Sequence, residues 1–497
     1  MKIKILSFVF FFILISGVAQ ENLFLERSYW KKNPSIAAIE KAITDGNDVA
    51  ELNRNMFDAV SYAILEQVDN TTLKHLISKK GNEVDKITHD GRTYIFWAAY
   101  KGNMELVEWL VAQGARADIE DAHGYTVLNF AANAGQSNTA MYDFLLANNA
   151  PLTGTTRSGA NALLLVASSA KDEDILTYFI EKGLPFDSVD DNQNGIFQYA
   201  AKGGNLSLLK TLDDKGADVK RINKNGENAL FMAAQGTRSK QHGEALFAYL
   251  EELGLNPSIT NNDGKNLLHL LANRNAEKAV FEHFLGKGLD PNAQDVEGNT
   301  PLMYAARGNS LQIVTLLAKA TQDINLRDKK GRSALALAVS RNKPEVVKFL
   351  IENGADVTTK DGDGNTLAYY LLETFSVKNP TAFEAKWELL DKAGLKMNTL
   401  QASGNSLLHL AAKENNLALL KRLKDFGIDV NQKNEEGNTP LHLAAMSTSN
   451  TAILKYLVAE GADLSLKTDF EESVYDLAKE NELLQNIEDQ LEFLNYK

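Results

Sequence analysis

The eight histidines are the first side chains to test for chemistry in this 497-residue chain, since neutral imidazole ligates metals and moves protons near neutral pH. Three of them, His269, His409 and His442, stand at one recurring place, three residues after a Ser, Thr or Asn suited to cap a helix. The other five, His75, His89, His123, His242 and His283, share no ligand spacing, so a transition-metal centre has no support. The run Asp361-Gly362-Asp363-Gly364-Asn365 alternates oxygen-bearing side chains as a calcium loop does. Such a loop also needs glycine at its sixth position and glutamate at its twelfth, where this chain has Thr366 and Leu372. An ordinary hairpin tip is the better reading. The chain has no cysteine, which removes thiol nucleophiles, zinc–thiolate sites, iron–sulfur clusters and disulfides together. No serine elbow, phosphate-cradling loop or dinucleotide fingerprint stands in a strand-to-helix context. No catalytic, metal or cofactor-binding residue is therefore assigned, no cofactor is expected, and the chain reads as a non-enzyme.

The elements that hold these residues follow from an internal period. A glycine recurs at Gly91, Gly124, Gly159, Gly226, Gly264, Gly298, Gly331, Gly364, Gly404 and Gly437, with Gln193 and Glu471 in the same phase. Steps between anchors are 33–35 residues, except for one of 38 and one of 40. The anchor supplies the positive backbone dihedral of a tight turn. Two residues later Thr93, Thr126, Thr300, Thr366 and Thr439, with Ser333, Ser406 and Ser473, are suited to N-cap a first helix. Pro301 and Pro440 fit its first turn, where a missing N–H costs nothing. Pairs such as Ala98-Ala99, Ala305-Ala306 and Ala444-Ala445 let neighbouring helices approach closely. A second helix with apolar residues at helical spacing (Leu106, Val107, Leu110, Val111) then stops at a glycine such as Gly114 or Gly461.

These residues resemble the ankyrin repeat, most closely in Gly437, Thr439-Pro440-Leu441-His442 and Gly461-Ala462-Asp463. The resemblance covers roughly residues 34–497 and implies an all-α repeat solenoid of stacked helix-turn-helix units with projecting β-hairpin loops. It implies a structural role for His269, His409 and His442, bonded to adjacent loop backbone. Residues 1–19 read as a signal peptide and 20–87 as N-terminal capping and degenerate repeats, with helix pairs expected in Pro34–Thr44 and Met56–Lys80. Residues 88–468 form an array of about 11 units by the family pattern, and 469–497 a C-terminal capping repeat. There Leu484, Ile487, Leu491 and Leu494 make one apolar stripe, expected to be a final helix.

Two steps depart from the period. The 38-residue step places extra residues at Thr237–Glu244, expected to lengthen the loop between two helices. The 40-residue step does so around Ser376–Phe383, in a unit with Leu371-Leu372 where others have Ala-Ala. That larger pair should force neighbouring helices apart and create a hinge or a change of curvature near 364–400; a longer loop over a repacked core is the alternative.

In the ankyrin family the concave face of hairpin tips and first helices binds other proteins, and that resemblance implies a protein partner. The tips and helix ends of the middle units carry Lys224, Lys265, Arg274, Arg307, Lys329, Lys330, Arg332 and Arg341, a basic stripe in a chain of net charge −13. Nearer the N-terminus, Arg92, Tyr100, Lys101 and Tyr125 mix aromatics with polar groups, as interface hot spots do. These twelve residues are the expected contact set, and the partner is expected to present an acidic surface. An acidic chain repels phosphate backbones, so no nucleic-acid partner is expected.

At the N-terminus, Lys2 and Lys4 precede an apolar stretch from Ile5 to Ile15, and Gly17-Val18-Ala19 offers small residues for cleavage after Ala19. The apolar stretch is shorter than the roughly 20 residues that span a bilayer. A periplasmic or secreted monomer with no membrane span after cleavage is expected. By resemblance to exported bacterial ankyrin repeat proteins, the expected function is a non-catalytic protein–protein interaction scaffold that could stabilise a periplasmic enzyme. The alternative is an extracytoplasmic glycan-binding or small-ligand-binding protein, disfavoured because open grooves lack the enclosed pocket such ligands prefer.

Overall fold

A computed structural model describes residues 22–238, 240–274 and 276–495. The reading of residues 1–19 as a leader lies outside the described residues. The chain divides into two compact units, Met1–Val219 and Lys220–Lys497. Among the described residues it is all-helical, and no helix is long and apolar enough to cross a membrane.

In the first unit, the first helices Tyr94–Tyr100, Val127–Asn133, Ala162–Ala167 and Ile196–Gly203 pack side by side. In the second, Ala229–Gln235, Leu267–Ala272, Pro301–Ala306 and Ala334–Arg341 do the same. The alanine pairs explain this spacing: Ala98-Ala99, Ala131-Ala132, Ala305-Ala306 and Ala444-Ala445 are all buried with almost no exposed surface. Second helices add the rest of the core through Leu106, Val107 and Leu110, or Val346, Val347 and Leu350.

The caps follow the expected chemistry with one exception. Thr126, Thr300, Ser333, Ser406 and Thr439 each accept an N–H from the residue three positions on. Thr93 makes no such bond, and its buried hydroxyl has no partner. Asn161, Asn228 and Asn266 fill the same position in other units and cap through the amide oxygen. The hairpins are tighter than β-hairpins proper: only isolated bridges such as Glu120–Thr126 and Arg327–Ser333 form, because each arm is one or two residues long.

The anchor glycine has a second duty beyond its dihedral. Gly331 has φ +74°, and a Cβ there would lie 2.5 Å from the backbone nitrogen of Gly362 in the next hairpin. That nitrogen donates to the Lys330 carbonyl at 2.7 Å, and Lys329 N likewise donates to Glu297 O at 2.8 Å. One backbone bond thus ties each of these hairpin tips to the next.

The ends of the chain depart from expectation. Residues 34–44 hold one helix, Ile36–Thr44, rather than a pair, whereas 56–80 hold Ala59–Leu65 and Asn70–Ile77. The expected C-terminal α-helix is instead two 3-10 segments, Glu482–Gln490 and Glu492–Leu494, with Ile487 out of helical geometry. Leu491 and Leu494 still bury, because a three-residue period aligns side chains three apart.

Around Gly364 the excess residues are shared between the loop and a second helix of twelve residues, Thr381–Lys392. Thr381–Phe383 are therefore helical rather than loop. A cavity of ≈ 550 Å³ lined by Tyr369, Leu372, Leu410 and Leu419 lies between Leu367–Leu372 and Leu407–Lys413, where the larger leucine pair stands. The second helices Thr381–Lys392 and Leu417–Leu423 are tied by Arg422, which grips Glu384 through two bonds of 2.7 Å.

In the same helix Lys386 is buried, and its ammonium donates to the Val339 carbonyl at 2.7 Å, near the end of Ala334–Arg341. Burial pushes this lysine down to about 8. A base whose pKa falls on folding is favoured neutral in the native state, so the stability cost is full below pH 8 and relieved as pH rises towards 10.5. Lys386→Met should therefore stabilise the protein at pH 7 by about 1–3 kcal/mol and flatten the alkaline rise, read by urea denaturation at pH 7 and 9.5. A loss of stability at pH 7 would show that capping the Val339 carbonyl outweighs the buried charge.

Candidate functional site

Each hairpin is built on a polar residue three positions before the anchor, and this decides which charges remain free. The Asp295 carboxylate accepts N–H bonds from Glu297 (2.9 Å) and Asn299 (2.8 Å), and Asp328 accepts from Lys330 (3.0 Å) and Arg332 (2.8 Å). Asp361 does the same with Asp363 and Asn365 and takes the Tyr370 hydroxyl at 2.6 Å, so its oxygens face its own turn rather than a calcium ion. Burial raises the Asp361 carboxyl, but the bonds from Tyr370 and Asn365 outweigh it and hold the group below the usual carboxylate range. Among the described residues no group of three His, Asp or Glu side chains is placed to hold a metal ion.

His409 and His442 accept the Ser406 and Thr439 N–H at Nδ1, both at 3.0 Å, and His269 accepts that of Asn266 at 3.1 Å. Across to the next hairpin, His269 Nε2 meets the Asn299 carbonyl at 3.1 Å and His409 Nε2 meets that of Asn438 at 2.9 Å. Burial lowers the pKa of all three, that of His442 to about 4.

The basic stripe lies wholly in the second unit, and its members are not equivalent. Lys329 and Lys330 are exposed at one hairpin tip and Lys224 at another, and none has an ion-pair partner among the described residues. Arg274, Arg307 and Arg341 stand exposed just past or at the ends of three successive first helices, also without carboxylate partners. Two expected contacts are already spent. Lys265 pairs with Asp263 at 3.2 Å, and Arg332 grips Asp328 at 2.7 and 2.8 Å. Arg332 is four residues from the hairpin aspartate, which places its guanidinium against that carboxylate.

In the first unit, Arg92 is not a surface contact. It is buried, bonded to Asp121 at 2.7 and 2.8 Å and to Asp90 at 3.1 Å, with its guanidinium 4.3 Å from the centre of the Phe130 ring. Tyr100 and Tyr125 are half-buried and do come together, their rings 5.2 and 5.9 Å from that of Phe130. Lys101 is half-buried beside Tyr100 and carries no ion pair among the described residues.

Sequence reasoning missed two groups. The position six residues after the anchor turns its side chain to this same face and holds Trp97, Phe130, Tyr199, Tyr304 and Tyr370. Trp97 donates its indole N–H to Thr88 at 2.8 Å, and Tyr199 and Tyr304 donate to the hairpin residues Asp190 and Asp295 at 2.9 and 2.7 Å. The nine-residue spacing between each pair was the available signal. The second group is Arg238 and Lys240, two exposed cations in the insertion that breaks the period.

A family model described as "Ankyrin repeats (3 copies)" matches residues 60–155, 163–261, 237–328, 268–361 and 375–468. The chain is 30% identical over 169 residues to the putative ankyrin repeat protein FPV031 of Fowlpox virus (strain NVSL), covering 32% of this chain and 48% of that one. It is 28% identical over 209 residues to the putative palmitoyltransferase ZDHHC13 of Danio rerio, covering 41% and 32%. It is 24% identical over 284 residues to the phosphocholine transferase AnkX of Legionella pneumophila, covering 57% and 27%. The chain therefore spans about half or less of the length of these relatives.

Proposed function

The chain belongs to the ankyrin repeat family, and on that premise we propose that it is a non-catalytic protein-interaction scaffold, exported through residues 1–19, whose hairpin-tip and first-helix face binds a partner with an acidic surface. The observation that carries this reading is the set of unpaired cations on one face of an acidic chain: Lys224, Lys329 and Lys330 at the tips, Arg274, Arg307 and Arg341 at the helix ends. A side chain spent on an internal ion pair has little left for a partner, whereas none of these six has an ion pair to give up among the described residues. The repeat frame holds their backbones in place before binding, which lowers the ordering cost of association. Tyr100 and Tyr125, seated on Phe130, offer a second, aromatic contact in the first unit. The sequence of residues 1–19 supports export to the periplasm or cell exterior, where a partner enzyme could be stabilised by the contact.

The chain from Gln20 onward should serve as bait in an extracytoplasmic extract, with the retained protein then purified. Reversing Lys329 and Lys330 to glutamate should weaken that partner about 10-fold at low salt and flatten its salt dependence. Arg332 is left unchanged, because its bond to Asp328 shapes the hairpin. Retention indifferent to both salt and charge reversal would overturn the reading.

A further inference from the structure

The insertion at 237–244 does more than lengthen a loop. The helix Ala229–Gln235 ends at Gly236, with φ +58°, where a Cβ would lie 2.6 Å from the Lys240 carbonyl. Thr237 N donates to that carbonyl at 3.0 Å, closing a tight turn. Arg238 and Lys240 thereby join Arg274, Arg307 and Arg341 around one open cavity of ≈ 740 Å³.

Three observations separate this cavity from a solvated basic face. No carboxylate lines it, and none of the five cations has a carboxylate partner among the described residues. Two other cations of the same stripe, Lys265 and Arg332, are instead paired with Asp263 and Asp328. The partial negative charge of the helix ends is also blunted: Asn309 Nδ2 donates to the Ala272 and Arg274 carbonyls at 3.0 and 2.8 Å, and Asn342 Nδ2 to that of Ala306 at 2.9 Å. Those two asparagines also fix the loops that carry the arginines. Five like charges held around one space repel one another until an anion arrives.

We propose that this cavity is a binding site for a compact polyanion bearing several phosphate or sulfate groups. Four of the five cations are arginines, whose planar forks match such groups through paired hydrogen bonds. The volume suits a small molecule rather than a single ion. Because the cavity is open to water, one charge would be weakly held, and affinity must come from several at once. The site shares Arg274, Arg307 and Arg341 with the scaffold reading, but its test is separate, on the isolated protein with no partner present.

Calorimetry on the full chain at about 0.15 M salt, with myo-inositol hexakisphosphate as probe, should show one saturable site at least about 100-fold tighter than for inorganic phosphate. Arg274→Gln and Arg341→Gln should each weaken it about 10-fold, and Lys329→Gln with Lys330→Gln less than about 3-fold, with unfolding curves of all variants superimposed. Inositol hexasulfate and vesicles containing phosphatidylinositol bisphosphate separate the sources of the same chemistry: Arg274-dependent binding to either one supports the site and names its source. Absence of saturation with both soluble probes and the vesicles overturns the proposal. So does equal loss in the tip variant, or an oligo-aspartate peptide that binds more tightly than hexakisphosphate with the same Arg274 dependence.

Discussion

Arg92→Ala should destabilise the first unit by about 3–5 kcal/mol, the range for breaking a buried ion pair on one side. The Asp121 side chain is fully buried, and its Oδ1 already accepts the N–H groups of His123 and Tyr125 at 2.8 and 2.9 Å. Its Oδ2 depends on the Arg92 guanidinium, which also covers the faces of Phe130 and Trp97. Removing Arg92 leaves a buried carboxylate oxygen without its charged partner. The chain itself supplies the compensating change. Asn223 and Asn261 occupy the same hairpin position and make the same two turn bonds without a charge. Arg92→Leu combined with Asp121→Asn should therefore recover most of the loss. Urea unfolding followed by tryptophan fluorescence checks both, since Trp97 packs against Phe130, 5.8 Å between ring centres. A single-variant loss below about 1 kcal/mol would return Arg92 to the role of a free surface cation.

The second large effect is acid lability confined to the second unit. His442 is completely buried, and its Nδ1 lone pair receives the Thr439 N–H, so protonation removes a cap bond as well as burying a charge. Its pKa is lowered to about 4, and those of His269 and His409 move the same way, in each case chiefly because burial disfavours the cation. Above pH 6.5 the native and unfolded states are both neutral at these sites. Below it the unfolded state takes up protons first, so stability falls as pH drops from about 6.5 towards 4. For His442 alone the loss is about 3 kcal/mol at the lower end. The matching positions of the first unit hold Phe96, Asn129, Leu164 and Gln198, none of which titrates there. Hydrogen exchange at pH 7 and 5 should show protection falling in 404–450 before it falls in 94–133. His442→Gln should remove its share of the slope, because Gln198 already makes the equivalent bond to Gly195 N at 3.1 Å. Equal loss of protection in both units would assign the acid effect elsewhere.

The repeat frame was legible because everything it needs is close in sequence. A capping threonine and the amide it accepts are three residues apart, the hairpin aspartate and its donors two and four, and the glycine that ends a second helix is local too. Local rules suffice for such bonds, so the residue types spell out the helices, turns and anchors. They failed at Thr93, whose hydroxyl makes no cap bond, at 34–44, where one helix stands for an expected pair, at Thr381–Phe383, which join a helix rather than a loop, and at 482–494, where a leucine stripe suits a 3-10 period as well as an α one.

The candidate site divides differently. The sequence by itself determined where cations could stand: at hairpin tips and helix ends, on one face, at intervals of the period. Only the tertiary structure decided which of them are free. Arg92 finds its carboxylate 29 residues away, Arg422 finds Glu384 across 38, and Lys386 reaches a carbonyl 47 residues back. Spacing along the chain does not report these meetings, because they depend on how one repeat is seated on the next. The same seating turns the insertion at Gly236 towards Arg274, Arg307 and Arg341 and makes four separate stretches of sequence into one charged cavity. Charge is a property of residue type, whereas the neutralisation of charge is a property of distance, and distance is set by the fold.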